Sequence, residues 1–459
     1  MTTPLPLRAP RLLISGGTLL TMMAGDEIHS DGAVLIEDGH ILYAGPAAGL
    51  PPCPDAQRID ATGKAILPGL INAHTHLCMI LGRTLGVERT LLEWLDIEMP
   101  LMRALDEQGM YDAQMLGLAE NLKNGNTSVV ENIFTPRTGP DLEIVAFTAM
   151  RDAGVRGIVA RGYTGRNFAP DFVETAAQQD TRVRALARDW RGQDNGRLDL
   201  FISPLLPWSM SPEQFAETRR LTRDLGLGLH MHVAESPEFN TLIEKHFGKK
   251  LRNVELLAEM DCLGPDVQAV AVADLDAREI ALLAETGTPV IFDPTTRLFW
   301  GTGFADIKSF LDQGISAALC TNGPAANCGQ DLFESMKYAC ATAKTAARDP
   351  TALTARRALR MATIEGATVL GIADRVGSLE AGKRADLITV DLRQPHLTPA
   401  INVEAALVYA AKGSDVRDVI IDGRILLRDR TFTHLDEGAI IDRANAAASK
   451  AISKAGLAR

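Results

Sequence analysis

The chain has 459 residues, 46% of them hydrophobic and 23% charged, with a formal net charge of −11. That length fits one large domain plus a satellite unit, and the composition can bury a sizeable core without disulfide staples. The acidic balance excludes nucleic acid as a main partner, because phosphate binding needs clustered Lys and Arg.

In chain order, residues 1–17 show no basic start followed by an apolar run, so no secretory leader is expected. The next stretch reads as short strands. An Asp38-Gly39 dipeptide between the apolar runs 33–37 and 41–44 predicts a hairpin. After Leu67-Pro68-Gly69 the pattern changes to apolar runs alternating with helical segments. Candidate strands cover 70–73, 127–131, 157–160, 198–203, 228–233, 267–273, 289–292 and 316–320. Helices are expected at 106–124, with Gly125 just past the end, at 277–286 and at 331–346. Eight strands with intervening helices over about 300 residues is the arithmetic of a (β/α)8 TIM barrel, an α/β fold.

The chain end returns to strands at 385–391, 416–421 and 424–427, the last two joined by Asp422-Gly423. A surface helix over 440–455 closes it. The simplest organisation is a small β-sandwich domain built from both chain ends (1–66 plus 374–459) around a barrel at 67–373. No run of about 18 apolar residues predicts a membrane span. Six scattered cysteines, none in a CxxC pair, fit a reducing cytoplasm.

His74 and His76 stand at the end of the first barrel strand, two residues apart, which turns both imidazoles to one face. The C-terminal ends of parallel barrel strands are where active sites are built, and two imidazoles so placed can bind a divalent metal. In the segment Gly228–Ser236, His230 and His232 again share a face, and Glu235 follows within a short turn. A carboxylate beside a metal-activated water can take its proton and hand it to a leaving group.

The stretch LPGLINAHTHL closely resembles the signature of the amidohydrolase superfamily. The branch of aminohydrolases, triazine hydrolases and adenosyl-compound deaminases matches further. The shared stretches are Gly82-Arg83, LLEWL at 91–95, NGNTS at 124–128, HVAES at 232–236, GPAAN at 323–327 and GSLEAGKRADL at 377–387. The resemblance spans nearly the whole chain and implies a barrel with an attached β-sandwich. It implies His232 as the third metal ligand and Glu235 as the general acid/base. His230 becomes a substrate or supporting contact.

Three positions depart from the family pattern. Relatives carry a His at the end of strand six, where this chain has Ala271. Relatives carry an Asp at the end of strand eight, where this chain has Asn322, which offers a carbonyl oxygen but cannot act as a base. The His-Cys-Pro stretch of strand seven is Phe292-Asp293-Pro294 here. Glu235 is then left to manage proton transfer alone or with Asp274 or Asp293. A Lys at the end of strand four, needed for a binuclear site, is absent, which implies one metal.

Together these readings imply a metal-dependent hydrolase of a non-peptide carbon–nitrogen bond in a small heterocyclic or amide-like compound. His74, His76, His232 and Asn322 are the expected ligands of one divalent ion, Zn²⁺ first and Fe²⁺, Co²⁺ or Mn²⁺ otherwise. Arg83, Trp94, Arg161, Trp208, His230 and Phe292 are the expected substrate contacts, with residues 81–100 covering the barrel mouth. The other expectations are a small-molecule substrate, no membrane partner, and a cytoplasmic homo-oligomer of two or more chains. The alternatives are cleavage of a carbamate, thiocarbamate or urea, and a catalytically impaired barrel that binds metal and ligand without turnover.

Overall fold

The computed structural model describes residues 11–457, except 26, 27, 138 and 140. The leader-free reading of residues 1–10 therefore lies outside the described residues.

Eight parallel strands follow one another around a nearly closed barrel. They are Leu70–Thr75, Asn126–Ile133, Arg156–Tyr163, Leu198–Pro204, Gly228–Ala234, Val267–Val272, Val290–Phe292 and Ala317–Leu319. Strands eight and one meet through polar contacts. The Asn322 N–H donates to the His74 carbonyl at 3.1 Å, and the Thr321 N–H donates to Asn72 Oδ1 at 3.0 Å. Inside, Ile71, Val130, Ile158, Val270, Ile291 and their neighbours form one buried cluster, which Val369, Leu370 and Ile372 join from the chain beyond the last strand. Each such side chain, fully buried, contributes about 1.5–3 kcal/mol.

Strand one carries an irregularity that matters for the site. Its pairing with strand two advances three residues, from Asn72 to Thr75, while its partner advances only two, from Val129 to Glu131. This β-bulge reverses the alternation. Ile71 and Ala73 stay in the interior cluster, and His74 and His76 still point into the barrel mouth. Simple alternation from Ile71 would send both histidines outward.

The helix read as 106–124 runs Glu107–Lys123, with Asp106 accepting from Gly109 N–H and Gly125 at φ +81° just beyond. The last helix is Glu437–Lys454, three residues earlier at its start than the hydrophobic pattern implies, because Asp436 caps it.

Strands from both chain ends build one mixed nine-stranded sheet. The Asp38-Gly39 turn joins Ile28–Glu37 to His40–Pro46, and Asp422-Gly423 joins Val416–Ile421 to Arg424–Arg428. Both central residues of each turn have positive φ, as such turns require. Leu387–Asp391 pairs antiparallel with Lys64–Pro68, which brings the two ends together. A buried ion pair ties this sheet to the barrel. Arg156 donates to Asp386 at 2.8 Å and to Asp422 at 2.7 Å. Among the described residues, no helix is long and apolar enough to cross a membrane.

Candidate metal centre and active site

At the C-terminal mouth of the barrel, His74, His76 and His232 each offer a ligand atom within 4.8 Å of the others. The Nε2 atoms of His74 and His76 lie 3.2 Å apart, as do those of His76 and His232. Backbone carbonyls fix the tautomers of His76 and His232. His76 Nδ1 donates to the Asn132 carbonyl at 2.6 Å, and His232 Nδ1 donates to the Leu205 carbonyl at 3.3 Å. His74 Nδ1 lies 2.8 Å from His230 Nε2, where either ring can be the donor. With the protons of His76 and His232 on Nδ1, their two Nε2 lone pairs face each other, and His74 Nε2 adds a third once its own proton is on Nδ1. That arrangement repels itself and is satisfied by a cation between them. Burial holds His76 down at about 3 and His232 at about 4, and pushes His74 well below the ordinary histidine range. All three are neutral near pH 7, as metal binding requires.

The surrounding chain holds these rings in place. Glu131 of strand two accepts the Leu77 and Cys78 N–H groups at 2.6 and 2.9 Å, fixing the turn after His76. Gln330 accepts from Thr75 and Thr321 at 3.0 Å and donates to the Asn322 carbonyl at 2.9 Å. Asn322 itself sits at φ +61°, a left-handed conformation that asparagine tolerates.

Glu235, Asn322, His76 and His232 line one cavity whose walls are otherwise apolar. Phe134, Phe168, Trp208 and Phe239 stand on it, as do Trp94 and Trp300, whose rings lie 5.5 Å apart. Leu91, Leu92, Trp94 and Leu95 come from the helix Leu91–Ala104, started by a Thr90–Glu93 capping box. Glu235 Oε1 accepts from Arg297 Nη2 at 3.2 Å, and its backbone carbonyl accepts from Nη1 at 2.9 Å. Burial raises the Glu235 carboxyl, and the Arg297 guanidinium pulls it part of the way back.

The expected substrate contacts divide. Trp94 and Trp208 line the cavity. His230 stands behind His74 and is itself fully buried, so it supports a ring rather than meeting a ligand. Arg83, Arg161 and Phe292 do not line this cavity. Arg83 pairs with Glu120. Arg161 is fully buried and forks onto Glu174 at 2.6 and 2.8 Å, with Glu143 beside it. Phe292 packs edge-on against Phe310, away from this cavity. Each of the two arginines satisfies its charge on a carboxylate, which is what a buried or half-buried guanidinium needs. Asp274 also lies elsewhere, paired with Arg252 and Asn240.

The residue that the sequence reading missed is Arg297. It is buried in the helix Pro294–Trp300 and spaced i,i+4 from Asp293, to which it donates at 2.8 Å. That spacing directly after a strand-seven Asp was the available signal. Phe134, Phe168 and Phe239 were also missed, because a lone Phe in a loop or at a helix start carries no signature of its own.

Comparison with known proteins places this geometry. The family model "Amidohydrolase family" matches residues 65–426. The chain is 35% identical to the 5-methylthioadenosine/S-adenosylhomocysteine deaminase of Symbiobacterium thermophilum, covering 96% of this chain and 99% of that protein. It is 33% identical, over the same shares, to the 5'-deoxyadenosine deaminase of Methanosarcina mazei. Among solved structures, an adenosine deaminase from Xanthomonas campestris with bound zinc superposes with a TM-score of 0.89 at 28% identity, covering 98% of this chain and 100% of that one. The zinc complex of an atrazine chlorohydrolase from Arthrobacter aurescens superposes at 0.90 and 24% identity, covering 95% and 100%, and shows the shared fold. The barrel, the three converging histidines and a family match over most of the chain lead to one conclusion: the chain belongs to the amidohydrolase family of enzymes.

Proposed function

We propose that the protein hydrolyses a carbon–nitrogen bond of a small, neutral heterocyclic compound, releasing ammonia or an amine. The observation that carries this reading is the convergence of three imidazoles, with His76 Nε2 at 3.2 Å from those of both His74 and His232, beside the apolar cavity that His76, His232 and Glu235 line. His74, His76 and His232 hold one divalent ion, Zn²⁺ by the donor set, and Asn322 lies within the same cavity. When bound, such an ion supplies Lewis acidity and a nucleophile at neutral pH. Glu235 accepts a proton from the attacking water and delivers it to the departing nitrogen. Its Oε1 is held by Arg297, while Oε2 takes no hydrogen bond from the described residues. The aromatic walls enclose a flat ring and exclude water from it, which strengthens every polar interaction at the floor.

On this reading the barrel at 67–373 carries the chemistry, and residues 1–66 with 374–459 brace it. A reducing, cytoplasmic setting is supported by six free cysteines. A homo-oligomer is supported by the exposed Leu92, Leu298 and Phe299 around the mouth.

The test is a panel of aminated purines, pyrimidines, their nucleosides and triazines, with carbamates and ureas alongside, each followed by ammonia or amine release from the metal-loaded protein. Turnover of a heterocyclic amine supports the reading. Turnover of carbamates or ureas alone replaces it with carbonyl hydrolysis. No turnover with metal bound favours a ligand-binding barrel.

A further inference from the structure

We propose that Arg297 is a positioning residue that locks Glu235 and Asn322 in one frame through Asp293. The proposal rests on the reading of Glu235 as proton carrier. The geometry is a continuous buried bridge. Arg297 donates to Glu235 Oε1 at 3.2 Å and to the Glu235 carbonyl at 2.9 Å. Its Nη2 and Nε donate to Asp293 Oδ2 at 2.8 and 3.1 Å. Asp293 Oδ2 also accepts the Asn322 side-chain amide at 2.8 Å. One planar fork therefore joins the ends of strands five and seven at the barrel mouth, and Asp293 extends the link to the end of strand eight. Only arginine offers that many donors in fixed directions.

The bridge stands beside Ala271 and Asn322, two of the positions at which the sequence departs from the pattern it otherwise resembles. Position 271 carries a methyl group instead of an imidazole, with the backbone at φ +56°, and the adjoining Val272 and Ala273 border the same small cavity as Asp293 and Arg297. Position 322 carries an amide instead of a carboxylate. A carboxylate there would face Asp293 at hydrogen-bond distance, and two buried anions cannot share that space without one taking a proton. The amide resolves the conflict by donating to Asp293 while its own oxygen accepts the Gly323 N–H at 2.7 Å. Asp293, Arg297 and Asn322 thus read as one linked set. The Arg–Asp pair orients the proton-carrying glutamate, and the amide is what that pair tolerates as a neighbour.

The test uses the full-length, metal-loaded protein and needs no substrate. Difference infrared spectra are recorded against pH, with Glu235→Gln assigning the Glu235 carboxyl band. The groups around Glu235 are Arg297, with Asp293 behind it, and His76 and His232 across the cavity. The expected result is that Arg297→Met moves the Glu235 midpoint upward by roughly one to three pH units, and that Arg297→Lys restores part of the difference. Should Arg297→Met not fold, Asp293→Asn/Arg297→Met removes the Asp293 charge left unpaired, and its Glu235 midpoint, read against Asp293→Asn alone, should still move upward. A Glu235 midpoint unmoved in a folded neutral variant overturns the proposal, since a packing role lowers the melting temperature without touching that titration. For any compound turned over in the panel, Arg297→Met lowers kcat more than ~10-fold with KM little changed. If nothing is turned over, the functional reading fails while the infrared midpoint still decides this one.

Discussion

The side-chain amide of Asn322 donates to the Asp293 carboxylate at 2.8 Å, deep in the barrel mouth. Asp293 is raised above the ordinary aspartate range by burial, against the pull of Arg297 and of this amide. The pair explains why an Asp at position 322 is not a neutral reversion toward the family pattern. Asn322→Asp sets two carboxylates against each other. We expect a lower melting temperature for the metal-free variant, by an amount corresponding to about 1–3 kcal/mol. Metal should restore more stability to the variant than to the parent, because the added anion faces the cation. Thermal melts with and without chelator measure both.

Glu235→Gln keeps the shape and the Arg297 contact but removes the proton acceptor. Turnover should fall by roughly 10²–10⁴-fold. Metal content and melting temperature should stay near those of the parent. Equal loss of metal and activity would instead assign Glu235 a role in holding the site together.

The pH profile follows from the direction of the Glu235 shift. Burial raises this carboxyl above the ordinary glutamate value of 4.5. It is therefore already protonated, and useless as a base, at a pH where an exposed glutamate is still ionised. The acid limb of kcat/KM should fall with a midpoint above 4.5. Glu235→Gln should lack that limb in its residual activity. A parent midpoint at or below that value contradicts the assignment.

Glu98 gives a stability test away from the chemistry. It sits in the mouth helix, buried, with neither carboxyl oxygen hydrogen-bonded within the described residues, and burial pushes it up to about 8. Between its unfolded value of 4.5 and its folded value of about 8, the native state holds a proton that the unfolded state has lost. Stability contributed at this position is therefore full below the unfolded value and declines as pH rises through that window. Glu98→Gln should leave the melting temperature unchanged at pH 5 and raise it at pH 9, by an amount corresponding to about 1–4 kcal/mol. The same change at both values would rule out titration as the cause.

Much of the fold was legible because its signals are local. Period-two apolar runs, Asp-Gly turns at 38–39 and 422–423, and the Asp106 cap each act within a few residues. The pair His74 and His76, and Glu235 after His232, were legible because strand ends in a parallel barrel converge on one mouth. What escaped was non-local. Arg161 looked free at the end of strand three, yet Glu174, thirteen residues on, neutralises it. The bulge that turns His74 inward is visible only in the register against strand two. Arg297 was hidden because it links Glu235, after strand five, to Asp293, after strand seven, across more than fifty residues of sequence.

The measurement that bears most directly on the account is metal content, read by elemental analysis of the purified protein and of His76→Ala. The account predicts about one equivalent of a divalent ion per chain. It also predicts loss of that ion in His76→Ala, and loss of amine release when a chelator strips the parent, with recovery on adding Zn²⁺. A parent protein that carries no metal and turns over a heterocyclic amine undiminished in the presence of chelator contradicts it.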